Sequence, residues 1–235
     1  MTGTFINVAA ILIGGTIGLI FGARIPEKFK NTVIAGMGLF TAAMGLQMFL
    51  KSGNQLIVLG AIIIGAMLGE WIGIEDWLQA LGQSLEKRFS SDAETGAGSK
   101  FVRGFMVSSL LFCIGPMAIL GSIQDGLTGD YNLLAVKSTL DGFASIAFAS
   151  TLGVGVMFSS LIILVYQGGI SLLANQLNAI VTYPMMAEMT ATGGVILMGV
   201  AINNLLEIKK IRVGNFRPAL AVAPLIVWVL SLFGS

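Results

Sequence analysis

The chain has 235 residues, of which 55% are hydrophobic and only 11% are charged, and its formal net charge is +1. An average soluble domain is about 25% charged, so a chain this apolar would expose large hydrophobic patches to water. The composition excludes an ordinary soluble protein and predicts an all-α integral membrane protein whose main partner is the lipid bilayer. No basic tract indicates a nucleic-acid partner.

Two absences limit the chemistry. Cys113 is the only cysteine, so an intramolecular disulfide is excluded. Without histidine, the common zinc and haem sites lack their usual ligand, and Ser-His-Asp or Cys-His catalysis is impossible. We therefore expect no cofactor, no metal and no enzymatic activity. The first residues carry no basic charge, so we expect the first helix to be retained and not cleaved.

Apolar stretches of about 20 residues predict about eight transmembrane helices. They cover residues 4–23, 31–50, 55–73, 101–123, 133–152, 154–175 and 190–206, and the eighth ends near Phe233. Between the third and fourth, residues 74–89 carry Trp77, Leu78, Leu81, Leu85 and Phe89 at helical spacing. That pattern predicts a cytoplasmic amphipathic helix, followed by a linker that reaches residue 100. The whole chain, 1–235, is predicted to form one transmembrane domain.

The positive charges collect in alternate loops. All of the 13 lysines and arginines except Lys51 and Lys137 lie in or beside the loops after the first, third and seventh segments. By the positive-inside rule these loops are cytoplasmic. With eight crossings, both termini are then predicted to lie outside.

Three segments share small or polar residues at a four-residue step. They are Gly14, Gly18 and Gly22 in the first, Gly65, Gly69 and Gly73 in the third, and Gly199 with Asn203 in the seventh. Two explanations stay open: a decayed parallel repeat, or ordinary small-residue helix packing. The glycine-rich faces also suggest a homodimer.

The fourth segment is interrupted by Gly115 and Pro116. Proline removes a backbone donor and disfavours a helical conformation at the residue before it. The interruption predicts either a simple kink or a broken helix whose end lines a cavity. The polar connection expected at 124–132 contains Gln124, Asp125 and Asp130, which fit either an external turn or part of a binding site.

The fifth segment carries charge where lipid is expected. Lys137 and Asp141 are four residues apart and share a helix face with Ser138 and Ser145. Asp141 lies about 12 Å along the helix from Leu133, close to the middle of a roughly 30 Å hydrocarbon core. The pair is either a structural ion pair or a cation or proton site in which Lys137 is the counter-charge released on binding.

Further polar residues lie in or near the predicted segments, where ordinary packing or a boundary position is the alternative to a functional role. They are Asn7, Gln47, Asn203, Asn204, Glu70 and Glu188.

A resemblance rests on the central residues. It is carried by the run 112–127, Gly129, Asp130, Lys137, Asp141, Gly142, the run 148–150 and the C-terminal stretch 203–218. With these the chain resembles the YqgA-like family of bacterial inner-membrane proteins, a domain of unknown function. The resemblance implies a polytopic protein of the bacterial inner membrane and supplies no substrate or catalytic residue.

Two functions follow as hypotheses. The leading one is a small secondary transporter or channel for a small ion or solute, linked to a cation because three acids surround the expected site. The alternative is a non-transport membrane scaffold or sensor that uses residues 74–100 as its docking surface. No ATP-binding loop is present, so this chain alone would not drive transport with ATP.

Overall fold

The computed structural model describes residues 1–22, 24, 26–89 and 100–233, and every regular element in this part of the chain is a helix. The helices are α1 (Thr2–Gly22), α2 (Glu27–Phe49), α3 (Gln55–Ile72), α4 (Ile74–Phe89), α5 (Lys100–Cys113), α6 (Pro116–Thr128), α7 (Asn132–Leu152), α8 (Gly155–Leu172), α9 (Ala174–Ile180), α10 (Tyr183–Val200) and α11 (Ala219–Phe233). A π-helical turn, Ala201–Leu205, continues α10, and a short 3-10 turn, Val213–Phe216, precedes α11. The all-α prediction is confirmed.

The helices account for seven candidate membrane spans by length and composition, or eight if the bent pair α5–α6 is one span. Within this pair the chain bends by 64°, at the break that Gly115 and Pro116 predict. Gly115 has a φ of 150°, which glycine adopts readily, and Pro116 begins α6, where its missing N–H costs no helical hydrogen bond. The broken helix is thereby confirmed.

The chain divides into two compact units, residues 1–36 with 79–179 and residues 37–78 with 180–235. In the first unit, the glycines of α1 form its contact face with α7. A Cβ added at Gly14 would collide with the Gly142 carbonyl, and one at Gly18 would collide with the Ile146 carbonyl. The facing residue numbers increase in the same direction along both helices, so α1 and α7 run parallel. The glycines are needed for this close backbone approach.

The broken pair lies along α8, also in the first unit. Gly155, at the start of α8, faces the Phe101 backbone, whereas Gly126 near the end of α6 faces Ser171 near the end of α8. The Ser171 hydroxyl also donates a hydrogen bond to the Ser122 carbonyl, at 2.9 Å. The pair therefore extends over the length of one membrane-spanning helix.

In the second unit, the α3 glycines pack in a different way. Gly65 faces Ala219 and Gly69 faces Asn215, so α3 runs antiparallel to its partner α11. Gly73 ends α3 in the left-handed conformation, with φ 73°. Glycines at a four-residue step thus form a parallel contact in α1 and an antiparallel contact in α3. Close packing accounts for both stripes, and the internal repeat stays a hypothesis from the sequence.

The amphipathic segment forms α4 as predicted, and Leu78 of its apolar face is buried. Leu78, Gly82 and Glu86 are buried, whereas Trp77 is 60% exposed. Gly82 packs against Val102 and Phe105. The predicted linker at 90–99 lies outside the described residues.

Two predicted boundaries are wrong. The polar connection expected at 124–132 is helical as far as Thr128, so Gln124 and Asp125 belong to α6. The seventh predicted segment begins as α10 at Tyr183 and not at Thr190. Proline is tolerated in the first turn of a helix, so Pro184 does not delay its start.

Candidate functional site

The centre of the candidate site is the ion pair on α7. The Lys137 ammonium contacts Asp141 Oδ2 across one helical turn, and the two side chains are only 7% and 11% exposed. Their spacing predicts this shared face, and the structure brings the two charges into contact. Whether the pair binds a ligand stays a prediction.

Two amides from other helices complete the cluster. Asn7 Nδ2 of α1 donates to Asp141 Oδ2 at 3.0 Å and to Gln167 Oε1 of α8 at 3.3 Å. Both amide side chains are fully buried. The cluster therefore joins three helices of the first unit, and we refer to Asn7, Lys137, Asp141 and Gln167 as the polar cluster.

The polar cluster lies inside the helices and not at their ends. At a rise of 1.5 Å per residue, Asn7 is about 7–8 Å from the start of α1, and Asp141 is about 13–14 Å from the start of α7. Gln167 is about 7–8 Å from the end of α8. These depths place the cluster within the hydrocarbon thickness, between the membrane centre and the side on which α1 begins.

Some polar atoms of this region lack partners. Among the described residues, the buried atoms Asn7 Oδ1 and Gln167 Nε2 have no hydrogen-bond partner, and neither have the hydroxyls of Thr4 and Ser145. Turning the Asn7 amide over would point its oxygen at the Asp141 carboxylate, so a flip does not remove the unpaired acceptor. Each such atom costs about 1–3 kcal/mol when it is left dry.

The helix break falls beside the polar cluster. Before the break, the Phe112 ring contacts the Phe148 ring of α7, with centroids 6.5 Å apart. After it, Gly121 lies against Leu134 of α7. The break is thus held alongside the α7 stretch that carries Asp141.

Asp125 does not lie in an external turn, which corrects the sequence interpretation. It is buried in α6, where Oδ2 accepts a hydrogen bond from the Gly3 N–H at 3.0 Å and Oδ1 is 3.1 Å from the Met1 amino nitrogen. A carboxylate at a helix N-terminus is stabilised by the unpaired N–H groups there. Asp125 therefore positions α1.

The remaining predicted site residues have local roles. The Ser138 hydroxyl donates to the Leu134 carbonyl at 2.6 Å. Exposed Asp130 accepts from the Asn132 N–H at 3.0 Å, and Gln124 is exposed on α6. Asn203 belongs to the second unit, where its side-chain Oδ1 accepts a hydrogen bond from the Ile211 N–H at 3.1 Å.

Three acidic residues of the second unit are also held by protein contacts. Glu188 accepts hydrogen bonds from the Ser52 hydroxyl at 2.7 Å and from the backbone N–H groups of Gly53 and Asn54 at 2.8 and 2.9 Å, just before α3. Arg212 pairs with Glu70 and Asp76. The Asp76 hydrogen bond raises the pKa of the Arg212 guanidinium above its ordinary value, so Arg212 remains a cation.

Gln167 is the functional candidate that sequence reasoning missed. The sequence feature that points to Gln167 is its position as a lone amide within the apolar run that forms α8. Such an amide is uncommon in a lipid-length helix. Within the described residues, no three Cys, Asp or Glu side chains come together as a possible metal-ligand group. The expectation of no cofactor stays a prediction.

Several lipid-length helices with a buried ion pair among them define a polytopic α-helical membrane protein. The chain belongs to the family described as "Protein of unknown function (DUF554)", whose model matches residues 2–228. It is similar to the "Uncharacterized membrane protein YdfK" of Bacillus subtilis (strain 168), at 30% identity over 238 residues, which cover 100% of this chain and 99% of the relative.

A second relative is the "Uncharacterized protein YqgA" of Escherichia coli (strain K12), 30% identical over 221 residues, which cover 94% of each chain. No solved structure matches. The resemblance to the YqgA-like family is confirmed, and so is the multi-pass membrane protein that it implies.

Proposed function

We propose that this protein is a small secondary transporter or channel of the bacterial inner membrane for a small ion or solute, linked to a cation, and that it is not an enzyme. The observation that carries the proposal is the buried Lys137–Asp141 pair, which has unpaired amide atoms beside it. Intramembrane charges usually mark ion or substrate pathways.

A purely structural ion pair would leave the unpaired amide atoms beside it unexplained. Two buried charges that hold helices together need their remaining donors and acceptors satisfied, because a half-satisfied polar network is costlier than an apolar core. Here Asn7 and Gln167 each keep one buried atom without a protein partner. Groups that a bound ligand or passing water would satisfy explain the cluster better than helix packing alone.

The pair can work as an exchange site. In the state described, Lys137 neutralises Asp141; an arriving cation would take over the carboxylate while the ammonium moves away. The break between α5 and α6, held alongside this part of α7, provides backbone that can rearrange without unwinding a continuous helix.

Flux measurements on the purified protein in liposomes test the proposal. We would load the liposomes with the pH dye pyranine, add a potential-sensitive dye, and apply jumps in Na⁺, K⁺, Li⁺ or Ca²⁺. The expected result is a cation-dependent signal that Asp141→Asn reduces to the level of empty liposomes. Asp130→Asn is the matched control and should keep the signal, because Asp130 is exposed and serves only a turn.

Gel filtration and thermal unfolding would show that each variant is folded. If Asp141→Asn is unstable because it leaves Lys137 unpaired, the net-neutral double variant Lys137→Gln/Asp141→Asn replaces it. A variant that is folded and transports like the wild type would show that the pair is structural. A wild-type protein that moves neither protons nor any of these cations would overturn cation-linked transport.

The scaffold or sensor remains the second candidate, since α4 presents exposed Trp77, Lys87 and Arg88 beside its buried face. Deleting residues 90–99 separates the two functions. A transporter should keep its flux, whereas a scaffold should lose a partner that crosslinks to α4.

A further inference from the structure

The unpaired amide atoms of the polar cluster form a complementary set. Asn7 contributes a free acceptor, Oδ1, and Gln167 contributes a free donor, Nε2. Because the Asn7 amide donates to both Asp141 and Gln167, the two amide groups that carry the free atoms form one hydrogen-bonded chain that ends at the ion pair. One ligand that carries both a donor and an acceptor would satisfy the two atoms at once.

The charge of the pair restricts that ligand further. Lys137 and Asp141 are together neutral, and both are almost fully buried. A lone cation bound here while the Lys137 ammonium stays, or a lone anion bound while Asp141 stays ionised, would leave one unit of charge uncompensated in a medium of low dielectric constant, which is strongly unfavourable. A ligand with one positive and one negative group instead exchanges one internal ion pair for two new pairs, and the site stays neutral.

Two hydroxyls extend the same surfaces. Ser145 follows Asp141 by one turn of α7, and Thr4 precedes Asn7 by about one turn of α1. Both hydroxyls are buried and without a partner among the described residues. Thr4 lies on the side of the cluster on which α1 begins and Ser145 on the opposite side, so one of these hydroxyls, but not both, can contact a small ligand without changing the charge balance.

We infer that the polar cluster binds a small zwitterion with a primary ammonium and a carboxylate, the chemical class of the simple amino acids. The ammonium pairs with Asp141 and donates to Asn7 Oδ1. The carboxylate pairs with Lys137 and accepts from Gln167 Nε2. As the transported solute this ligand rests on the proposed function, but its binding can be measured without any transport.

Thermal unfolding of the purified protein in lipid nanodiscs provides the test, since a ligand that binds only the folded state raises the melting temperature. The probes are L-alanine, glycine and β-alanine, with acetate, ethylammonium and NaCl as single-charge probes at equal ionic strength. We expect at least one zwitterion to raise the melting temperature by about 2–4 °C at saturating concentration, and each single-charge probe to give a smaller shift.

Gln167→Met should abolish that shift and leave the ligand-free protein folded, because it removes the unpaired donor, keeps the side-chain volume and preserves the Asn7–Asp141 bond. Gln124→Met is the matched control on an exposed glutamine and should keep the full shift.

Three results would overturn the inference: no shift with any of the three zwitterions, an equal shift with ethylammonium or NaCl alone, or an unchanged shift in Gln167→Met. Zwitterion binding without flux in liposomes would overturn transport and leave this binding site intact. Cation flux without zwitterion binding would support transport and overturn the zwitterion site.

Discussion

Asp141 depends on two buried partners, and the loss of either one changes a charged interaction inside the membrane. Lys137 supplies the opposite charge and Asn7 a hydrogen bond at 3.0 Å. Removal of one member of a buried ion pair leaves an uncompensated charge, whereas removal of both leaves none. The stability of the cluster should therefore depend on charge balance more than on either side chain.

A single and a double variant test this dependence. We expect Lys137→Gln to lower the free energy of unfolding by about 3–5 kcal/mol, because Asp141 is left buried and unpaired. The double variant Lys137→Gln/Asp141→Asn should recover most of that loss. Denaturant unfolding in detergent micelles measures both; a single variant as stable as the wild type would show that water already reaches the carboxylate.

The contacts of Asp141 differ in whether the sequence predicts them. Lys137 and Asp141 can be paired from the sequence because four residues on one helix share a face. Asn7 is 134 positions from Asp141 and 160 from Gln167, so no local pattern connects them. Asp125 looks like a turn residue from its glycine neighbours, but a distant contact with the start of α1 buries it in a helix.

At the scale of elements, the glycine faces fix how closely helices approach. Gly18 meets the Ile146 carbonyl of α7, whereas nothing lies within 4 Å of a Cβ added at Gly169 of α8. The spacing of glycines predicts a packing face from the sequence, but not its partner or its direction. Those depend on long-range contacts, as the parallel partner of α1 and the antiparallel partner of α3 illustrate.

Alanine substitution of these two glycines makes a matched test. Gly18→Ala should destabilise the protein by about 1–3 kcal/mol, because the methyl group forces α1 away from α7. Gly169→Ala should be neutral or stabilising by up to about 1 kcal/mol, since alanine favours a helix and space is available. Thermal unfolding in nanodiscs compares them, and equal melting temperatures would contradict the close contact.

For the whole molecule, the direction of the helices bears on the topology. The parallel contact of α1 with α7 requires an odd number of crossings between them in the chain. Three crossings lie between them if the broken pair counts as one: α2, α3 and the pair itself. The pair does extend over the length of α8, as one membrane-spanning helix would. A re-entrant pair would make α1 and α7 antiparallel. The contact between these two helices therefore favours eight crossings, the number that best explains the loop charges.

Eight crossings and the positive-inside rule together predict that both termini lie outside. Fusion of alkaline phosphatase to the C-terminus in Escherichia coli should give an active enzyme, and green fluorescent protein at the same place should stay dark. Fusions after Lys210, in the basic loop before α11, should give the opposite pattern, because this loop carries Lys209, Lys210 and Arg212 on the cytoplasmic side. A fluorescent C-terminus together with an active phosphatase after Lys210 would invert the orientation and place the polar cluster nearer the cytoplasm, since it lies on the side on which α1 begins.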